Sequence, residues 1–358
     1  MKNTELWTKK SNLRKTRTVE SDLMPLQEGG IRVSVDKFAL TSNNVGYAMS
    51  GEMIGYWHYF PTGEDDWGKV TVWGMADVIE SNCAEISVGE RLYGFFPMSR
   101  YLDMIPGRIK EGYFFDESSH RASLPALYNQ YSRTQGEPEG MRALENERCI
   151  LFPLFMTGFV IADFMLDHDW FNAGQIIVGS VSSKTGIGTA SFIKKNGYKG
   201  QLIGLTSAGN KDFVKGLDIC DQVVTYDAIK SLAQTSSVYI DMSGDAATRL
   251  ALHTHLESDL QSSQIVGATH WEDASMKQEV PGVRPAFFFT PGQIDKRNKE
   301  WGPGVLMEKA TVASAGLAVC LKGQLSVERH QGAEACAQIW LDMLDNKISG
   351  KRGILVSL

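Results

Sequence analysis

The sequence predicts an α/β protein with two domains, a β-rich N-terminal domain and a doubly wound parallel sheet. Between residue 31 and about residue 100 it contains short β-runs broken by glycine, such as IRVSVDKFAL and KVTVWGMADVIE. After residue 151, strand-like and helix-like apolar runs alternate, which is typical of βαβ units around a parallel sheet covered on both faces. A chain of 358 residues also exceeds one ordinary domain and fits two.

The composition favours a cytoplasmic protein that acts on a small molecule. Its 36 Lys and Arg residues against 42 Asp and Glu residues give a net charge of -6, which argues against nucleic acid or a membrane surface as a partner. The five cysteines are far apart and form no C-x-x-C pair, so reduced thiols are expected. The N-terminus is polar and lacks the apolar core of a secretory signal. The longest apolar stretch, residues 151–166, contains Pro153 and Asp163 and is interpreted as a buried helix.

The pattern divides the chain into three segments. Residues 1–150 are predicted to form the β-rich substrate domain, residues 151–300 the parallel-sheet domain, and residues 301–358 a return to the first domain. Within the first segment, residues 108–148 include the charged, loop-like run SRTQGEPEGMRALENER. We interpret that part as an insertion or a flexible lid.

The first strand-helix unit of the second segment contains a turn of small residues. Residues 176–195 have the pattern of a buried strand, a turn with Gly186 and Gly188, and a helix. A dinucleotide pyrophosphate must approach the backbone closely and bind free N–H groups at a helix N-terminus, so this composition predicts a dinucleotide site. Ser182 adds a further hydroxyl donor. The candidate cofactor-binding residues here are Ser180, Ser183, Lys184, Thr185, Gly186 and Ile187.

Two alternatives accompany this turn. Its spacing departs from G-x-G-x-x-G, so a turn between strand and helix that binds no ligand remains open. A nucleoside triphosphate loop is disfavoured, because no glycine precedes Lys184 as the pattern G-x-x-x-x-G-K-[ST] requires.

The end of the second strand indicates which dinucleotide binds. NAD sites usually place a carboxylate there to accept from the ribose 2′-OH, whereas a 2′-phosphate prefers hydroxyls and cations. No carboxylate occurs before Asp212, and the candidate residues are Thr206, Ser207, Asn210 and Lys211. The sequence therefore favours NADPH over NADH. An ordinary helix N-cap at Ser207 or Asn210 would use the same residue types.

These segments, in this order, resemble the zinc-independent medium-chain dehydrogenase/reductase superfamily, particularly its quinone oxidoreductase and enoyl reductase branches. The similar parts are the run IRVSVDKFALTSNNVGYAMSG, the strand segment ending in GERLYGFF, the strand AGQIIVGS, the run DICDQVVTYD and the terminal SGKRGILVSL. The resemblance implies a GroES-like N-terminal domain, a Rossmann-type second domain and a homodimer. The turn SSKTGIG differs from the common A-S-G-G-V-G form, and residues 108–148 are unlike the usual linker, so the chain resembles a divergent branch.

The resemblance also assigns further cofactor residues. Thr157 matches a position that lies against the nicotinamide in similar reductases, although a helical Thr that bonds its own backbone is the alternative. Tyr226 falls in the run that resembles the family's third strand of the cofactor domain. The segment from Asp241 to Gly244 resembles the turn beside the nicotinamide ribose.

No metal site is expected. The loop around residue 41 carries no cysteine, and the sequence has no four-cysteine lobe, so the Cys, His and Glu ligands of zinc members are not matched. His253, His255 and His270 are expected at the surface.

Without a metal, hydride transfer needs a hydrogen-bond donor at the developing oxyanion. The predicted catalytic residues are Tyr56, Tyr59 and Asn44. Similar enoyl reductases carry a functional tyrosine in roughly the region of the first two. Packing of a Tyr and Trp cluster at a domain edge is the alternative.

Together these observations predict an NADPH-dependent, zinc-independent reductase of an activated C=C or C=O bond in an enone, a quinone or a similar carbonyl compound. The expected partner is a small-molecule substrate in a cleft between the domains. Two alternatives remain: a catalytically silent NADPH-binding sensor or partner protein, and a non-redox lyase or isomerase on the same fold.

Overall fold

The computed structural model describes residues 1–267 and 279–358. It divides into two compact units, one formed by Met1–Ile150 with Ser326–Leu358 and the other by Leu151–Leu325. Each unit is described by itself below.

The first 150 residues form mainly β-strands. The strands are β1 (Lys2–Lys9), β2 (Asn12–Asp22), β3 (Ile31–Leu40), β4 (Trp67–Gly68), β5 (Thr71–Ser81), β6 (Arg91–Pro97), β7 (Tyr101–Met104), β8 (Pro106–Gly107), β9 (Tyr113–Asp116) and β10 (Gln130–Arg133). The helices are α1 (Ser42–Met49), α2 (Gly51–Ile54) and α3 (Glu139–Arg142), followed by the long α4 (Glu145–Asp167), which continues into the second unit.

The second unit alternates strands and helices. Its strands are β11 (Gln175–Gly179), β12 (Gln201–Thr206), β13 (Gln222–Thr225), β14 (Ser237–Asp241), β15 (Leu260–Ile265) and β16 (Ala286–Phe287). Its helices after α4 are α5 (Lys184–Lys195), α6 (Lys211–Gly216), α7 (Ala246–Leu256), α8 (Thr290–Trp301) and α9 (Val305–Cys320).

The strands of the second unit form one parallel sheet in the order β13-β12-β11-β14-β15-β16. Every residue of β11 and of β14 is buried, as expected for parallel strands covered on both faces. From β11 the chain builds outward through β12 to β13, and β14 then pairs with the other side of β11. This change of direction is a topological switch point, where sheets of this kind bind their ligands.

The last part of the chain completes the sheet of the first unit. It forms β17 (Ser326–Gln331), α10 (Ala333–Leu344) and β18 (Arg352–Ser357). The nine-stranded sheet runs β17-β18-β3-β5-β6-β10-β9-β8, with β7 paired to β3, and a three-stranded sheet runs β2-β1-β4.

The return to the first unit begins at Ser326 and not at residue 301 as expected from the sequence. Helix α9 contacts α8 and α5 and buries Leu306, Ala310 and Ala318, so it belongs to the second unit. The boundary moves because tertiary packing, which the apolar pattern of α9 does not specify, decides where this helix lies.

The segment at residues 108–148 is built into the first sheet, which corrects its interpretation as an insertion or flexible lid. Strand β10 pairs with β6 and β9, and Phe114 and Tyr131 are fully buried. Asp116 and Arg121 form an ion pair with a distance of 3.0 Å while both side chains are almost completely buried. The segment looked like a loop because its charges, some of them paired inside the fold, interrupt the apolar pattern of its short strands.

The polar N-terminus forms the hairpin of β1 and β2, which the sequence did not indicate. Leu6 and Trp7 of β1 are buried, and the indole Nε1 of Trp340 in α10 donates to the Leu13 carbonyl over 2.8 Å. A few buried residues thus hold a strand pair whose composition is mostly polar.

Helix α4 confirms the predicted apolar helix and begins earlier than expected, at Glu145. By length and composition alone it could cross a membrane, but 67% of its most apolar window is buried inside the structure, as in the core helix of a globular domain. Its one central charge, Asp163, accepts from Arg297 Nε over 2.8 Å and from Gln293 Nε2 over 2.6 Å, both on α8. This buried pair joins α4 to α8.

We expect Asp163→Asn to lower the free energy of unfolding by about 2 kcal/mol, because the buried Arg297 would lose the charged acceptor of its Nε, although Asp167 and Glu300 still pair with its Nη1. Urea unfolding followed by circular dichroism measures the loss. Lys296→Ala is the matched control on the same helix: its side chain is 45% exposed, so the loss of its contacts with Asp167 and Glu300 should change the free energy of unfolding much less. An Asp163→Asn variant that is no less stable than the control variant would contradict this account.

Candidate functional site

The turn after β11 lies at the switch point of the parallel sheet. Gly179 ends the strand, Ser180 adopts a left-handed backbone with φ of 47°, and α5 begins at Lys184. The Ser183 hydroxyl caps the helix, accepting from the Gly186 N–H over 3.1 Å. The N–H groups of the first turn lie at the N-terminus of α5. This is the positive end of the helix dipole, and it lies at the carboxyl edge of the parallel sheet.

The glycines of this turn are explained by packing inside the chain. A Cβ on Gly186 would lie 2.8 Å from the Ser180 carbonyl oxygen, and one on Gly188 would lie 2.9 Å from Phe155 Cδ1 of α4. A Cβ on Gly158 of α4 would lie 2.7 Å from the Thr189 N–H nitrogen. Close approach of α4 and α5 therefore requires Gly158 and Gly188, and the tight turn requires Gly186, whether or not a ligand binds.

A hydrogen-bond network joins the turn to the end of β12. The Ser182 hydroxyl accepts from Thr206 Oγ1 over 3.1 Å and from Asn210 Nδ2 over 3.2 Å. Asn210 Nδ2 also lies 3.2 Å from Ser207 Oγ. Ser182 and Thr206 are buried, whereas Ser207 is exposed. The structure thus brings together residues that the sequence placed on two separate loops.

The charges around this network are mainly cationic. Lys184 is buried, and burial lowers the pKa of its ammonium to about 8. Lys211, at the start of α6, is half-buried. Sequence reasoning missed Asp227, whose pKa is lowered first by a hydrogen bond from the Thr225 hydroxyl and further by the charge of Lys211. This exposed carboxylate follows β13, whereas Lys211 follows β12. The two strands are neighbours only in the folded sheet, so the sequence alone does not show that the two side chains are close.

The turn after β14 is held by a buried ion pair. Asp241 Oδ1 accepts from the Ser243 N–H over 3.0 Å and from the Gly244 N–H over 2.9 Å, and its Oδ2 lies 3.1 Å from Arg249 Nη1. Gly244 has a φ of 70°, a left-handed conformation that favours glycine. The predicted position of Gly244 beside a cofactor ribose is neither supported nor opposed by these bonds.

Two further predicted cofactor residues differ in their surroundings. Tyr226 hydrogen-bonds Ser180, so the structure places it at the glycine turn. Thr157 Oγ1 donates to the Pro153 carbonyl over 3.1 Å in its own helix, which is the structural alternative considered for this residue.

The expectation of surface histidines is wrong for His253. This residue is fully buried, with its ring nitrogens 2.9 Å from the Ser263 hydroxyl and 2.9 Å from the Pro281 carbonyl, and burial lowers its pKa. His255 is half-buried and lies 2.9 Å from the Leu232 carbonyl. His270 falls outside the described residues.

In the first unit, the predicted tyrosines belong to a largely buried aromatic group that we call the tyrosine cluster. It consists of Tyr47, Tyr56, Tyr59, Tyr128, Trp73 and Phe95. The Tyr56 and Tyr128 hydroxyls are 2.9 Å apart, and the Tyr59 hydroxyl donates to the Pro125 carbonyl over 3.0 Å. Tyr128 was absent from the predicted set because it lies in the segment interpreted as an insertion.

Burial raises the pKa of every phenol in this cluster. The hydroxyls therefore remain neutral at physiological pH and act as hydrogen-bond donors rather than phenolates. That is the protonation state required of a donor to a developing oxyanion.

Asn44 has a structural role in this unit. Its Oδ1 accepts from the Thr41 N–H over 2.7 Å, which completes a capping box at the start of α1, and its Nδ2 donates to the Thr71 carbonyl over 2.8 Å. The side chain is buried. These bonds do not support the predicted donation from Asn44 to a substrate.

Within residues 1–267 and 279–358, no group of three or more His, Cys, Asp or Glu side chains is placed to hold a metal ion. Independence from zinc stays a prediction from the sequence.

Several solved structures share the fold over nearly the whole chain. CurA from Vibrio vulnificus in complex with NADPH is 14% identical, with a TM-score of 0.61 over 96% of this chain and 94% of that chain. The quinone oxidoreductase from Coxiella burnetii is 13% identical, with a TM-score of 0.52 over 100% of both chains. The CurK enoyl reductase is 12% identical, with a TM-score of 0.54 over 99% of both chains.

These similarities confirm the predicted α/β fold with a β-rich sheet and a parallel sheet. No curated protein matches the sequence significantly. The profile of the family described as "Protein of unknown function (DUF2855)" matches residues 38–349, which is most of the chain, and the protein therefore belongs to this family.

Proposed function

We propose that this protein is an NADPH-dependent oxidoreductase that reduces an activated C=C or C=O bond without a metal. The observation that carries the proposal is the hydroxyl and amide network of Ser182, Thr206 and Asn210 at the N-terminus of α5, with two lysines beside it. No carboxylate follows β12 before Asp212. The residues available to a 2′-phosphate at this position are therefore hydroxyl groups and a lysine, which suit its negative charge.

The residues of the second unit fit this cofactor. The first turn of α5 and Lys184 would hold the pyrophosphate, and Ser207, Asn210 and Lys211 would hold the 2′-phosphate. Thr157, Tyr226 and Gly244 are the proposed contacts toward the ribose and nicotinamide. When bound, NADPH supplies a hydride to the substrate carbon.

The structures with the same fold support this proposal. One of them is a complex with NADPH, and two others are described as a quinone oxidoreductase and an enoyl reductase. Homodimer formation and a cytoplasmic location remain predictions from the sequence.

The phenols of the tyrosine cluster are neutral, which is the protonation state that reduction of a carbonyl-activated bond needs from a hydrogen-bond donor. A Tyr hydroxyl can donate to the carbonyl oxygen while negative charge develops there, and a proton from solvent completes the two-electron reduction. The substrate class is therefore an enone, a quinone or a similar carbonyl compound.

A panel of enones, quinones and simple carbonyl compounds tests the reaction, with NADPH oxidation followed by absorbance and products by mass spectrometry. We expect a product heavier than the substrate by two hydrogen atoms. Tight NADPH binding without consumption across the panel would refute the reductase and favour the sensor. Conversion of substrate without the mass gain would favour a lyase or isomerase.

Cofactor preference tests the 2′-phosphate site. We expect Lys211→Ala to weaken NADPH binding about tenfold and to leave NADH binding unchanged. Only NADPH carries the 2′-phosphate and so loses a charge-assisted hydrogen bond from Lys211. Asp227→Asn should strengthen NADPH binding about twofold to fivefold by removing an exposed like charge. Isothermal titration calorimetry gives the affinities, and Lys215→Ala, an exposed lysine on the same helix, is the control. Equal wild-type affinity for the two cofactors would remove the 2′-phosphate assignment.

The pKa of Lys184 gives a pH dependence. Because burial lowers this pKa to about 8, the ammonium is charged below pH 8 and loses its proton above it in the free protein. A bound pyrophosphate favours the charged form, so NADPH affinity should fall as pH rises from 8 to 9.5, by up to about tenfold per pH unit. Lys184→Met should bind weakly with no such slope, whereas Lys184→Arg should bind well at all these pH values. The same slope in wild type and Lys184→Met would exclude Lys184 from the anion site.

A further inference from the structure

Strand β2 forms one end of the three-stranded sheet, and its outer edge is open. Within the part of the chain that the structure describes, β2 pairs with β1 alone. Thr18, Glu20 and Asp22 are exposed. A strand edge of this kind presents a row of N–H and C=O groups to which a further strand can bind.

The hydrogen bonds to β1 identify which groups of β2 face outward. The Leu23 N–H donates to the Met1 carbonyl over 3.1 Å, so these two residues are a hydrogen-bonded pair of the antiparallel ladder. The register with β1 is continuous over residues 16–22, and bonded pairs alternate with non-bonded ones in such a ladder. The odd-numbered residues of this part of β2 therefore bond β1, and the even-numbered residues direct their N–H and C=O groups away from it.

The other side of β1 agrees with this assignment. The Leu6 N–H donates to the Met98 carbonyl over 2.9 Å, and the Thr4 carbonyl accepts from the Arg100 N–H over 2.9 Å. The even-numbered residues of β1 thus bond away from β2, as the alternation requires. The outward-facing groups of β2 belong to Thr16, Thr18, Glu20 and Asp22.

The outer edge of β2 has few of the features that usually protect a strand edge. Residues 16–22 contain no proline, and the irregularity in the register with β1 lies outside them, between Thr8 and Lys9. A bulge or a proline within a strand would interrupt pairing with a new neighbour. This part of β2 is instead straight enough to continue the ladder.

The charges of β2 are separated by sign along the strand. Cations come first and carboxylates second, in the order Arg14, Lys15, Arg17, Glu20 and Asp22. When two copies of such a strand run antiparallel, the basic half of each faces the acidic half of the other. The strand is therefore complementary to itself.

Two of these cations also have partners within the chain. Arg14 pairs with Asp345 and Arg17 with Glu64, and all four side chains are partly exposed. Exposed ion pairs contribute little free energy, so they allow a second carboxylate to approach.

Two-fold symmetry limits the register of such a pair. Two antiparallel copies related by a two-fold axis place one residue opposite its own copy. An axis at Arg17 or at Glu20 would set like charges against each other. An axis at Thr16 would set Lys15 against Arg17, so all three registers are disfavoured.

An axis at Thr18 fits the charges best. It places Arg14 of each copy opposite Asp22 of the other, and it makes the outward-facing Thr18 the central hydrogen-bonded pair. An axis at Val19 would leave Arg14 opposite the uncharged Met24.

We propose that the outer edge of β2 pairs with the same edge of a second copy of this chain, antiparallel about a two-fold axis at Thr18. The two three-stranded sheets then join into one continuous sheet. The contact uses only the first unit and is independent of the proposed reductase function.

Cross-linking in the full-length protein tests the register. We expect Thr18→Cys to form a disulfide between two copies on mild oxidation, because a bonded pair places its Cα atoms about 5.5 Å apart, within the range of a disulfide. Thr16→Cys and Glu20→Cys should each form none alone and should cross-link when the two variants are mixed. Non-reducing gel electrophoresis gives the yield, and the wild type, whose five cysteines are free, gives the background.

Amide exchange tests the contact without added cysteines. Measured by mass spectrometry, the peptide with residues 16–22 should exchange about tenfold more slowly at about 200 µM protein than at about 2 µM. Thr18→Pro should abolish this difference, since proline lacks the outward N–H and leaves the bonds to β1 intact. Thr18→Ala, which keeps the N–H, is the matched control and should retain the difference.

A charge variant tests the electrostatic part of the proposal. Asp22→Lys should reduce the dependence of exchange on concentration, because it sets a lysine against Arg14. Glu85→Lys makes the same change of sign at an exposed position between β5 and β6, and it should behave as the wild type.

Three results would overturn the proposal: a Thr18→Cys yield no higher than the wild-type background, an equal yield from Thr16→Cys alone, or equal exchange at the two protein concentrations. None of these measurements uses cofactor or substrate, so their outcome does not depend on the reductase assignment.

Discussion

The close approach of helices α4 and α5 determines where the candidate cofactor site lies. Gly158 and Gly188 allow the two backbones to approach so closely that a Cβ at either position would lie 2.7 Å or 2.9 Å from the facing atoms. With α5 held in this position, its N-terminus follows β11 directly at the switch point of the sheet. The dipole, the capping Ser183 and the buried Lys184 are placed by that contact, so the proposed anion site at the turn depends on the packing of two helices.

Buried ion pairs hold several segments whose charge suggests a surface. Asp163 joins α4 to α8 through Arg297, and Asp241 fixes the turn after β14 through Arg249. Arg121 and Asp116 do the same in the segment at residues 108–148. Removing water from such charges is costly, so each pair specifies one arrangement of its two elements and excludes arrangements that separate them.

The two halves of the proposed chemistry use different kinds of polar group. The proposed cofactor side combines hydroxyls, an amide and lysines, whose ammonium groups can pair with the negative charge of phosphates. The proposed substrate side uses neutral phenols whose hydroxyls are held by hydrogen bonds within an aromatic cluster. Hydrogen bonds that are ordered before the substrate arrives need no reorganisation as charge develops, which is the advantage of placing them in an apolar cluster.

The sequence by itself determined the fold class and the parts of the site that are local in the chain. The alternation of apolar runs after residue 151 follows from backbone periodicity, which is visible in each strand and helix separately. The small-residue turn before α5 is a matter of the composition of one loop. The tertiary structure alone decided which distant residues meet. It placed Asp227 near Lys211 and Tyr128 against Tyr56, committed Asn44 to a helix cap, buried His253, and kept α9 in the second unit. Such contacts join residues far apart in the chain, and their free energies depend on burial and on partners that no local pattern encodes.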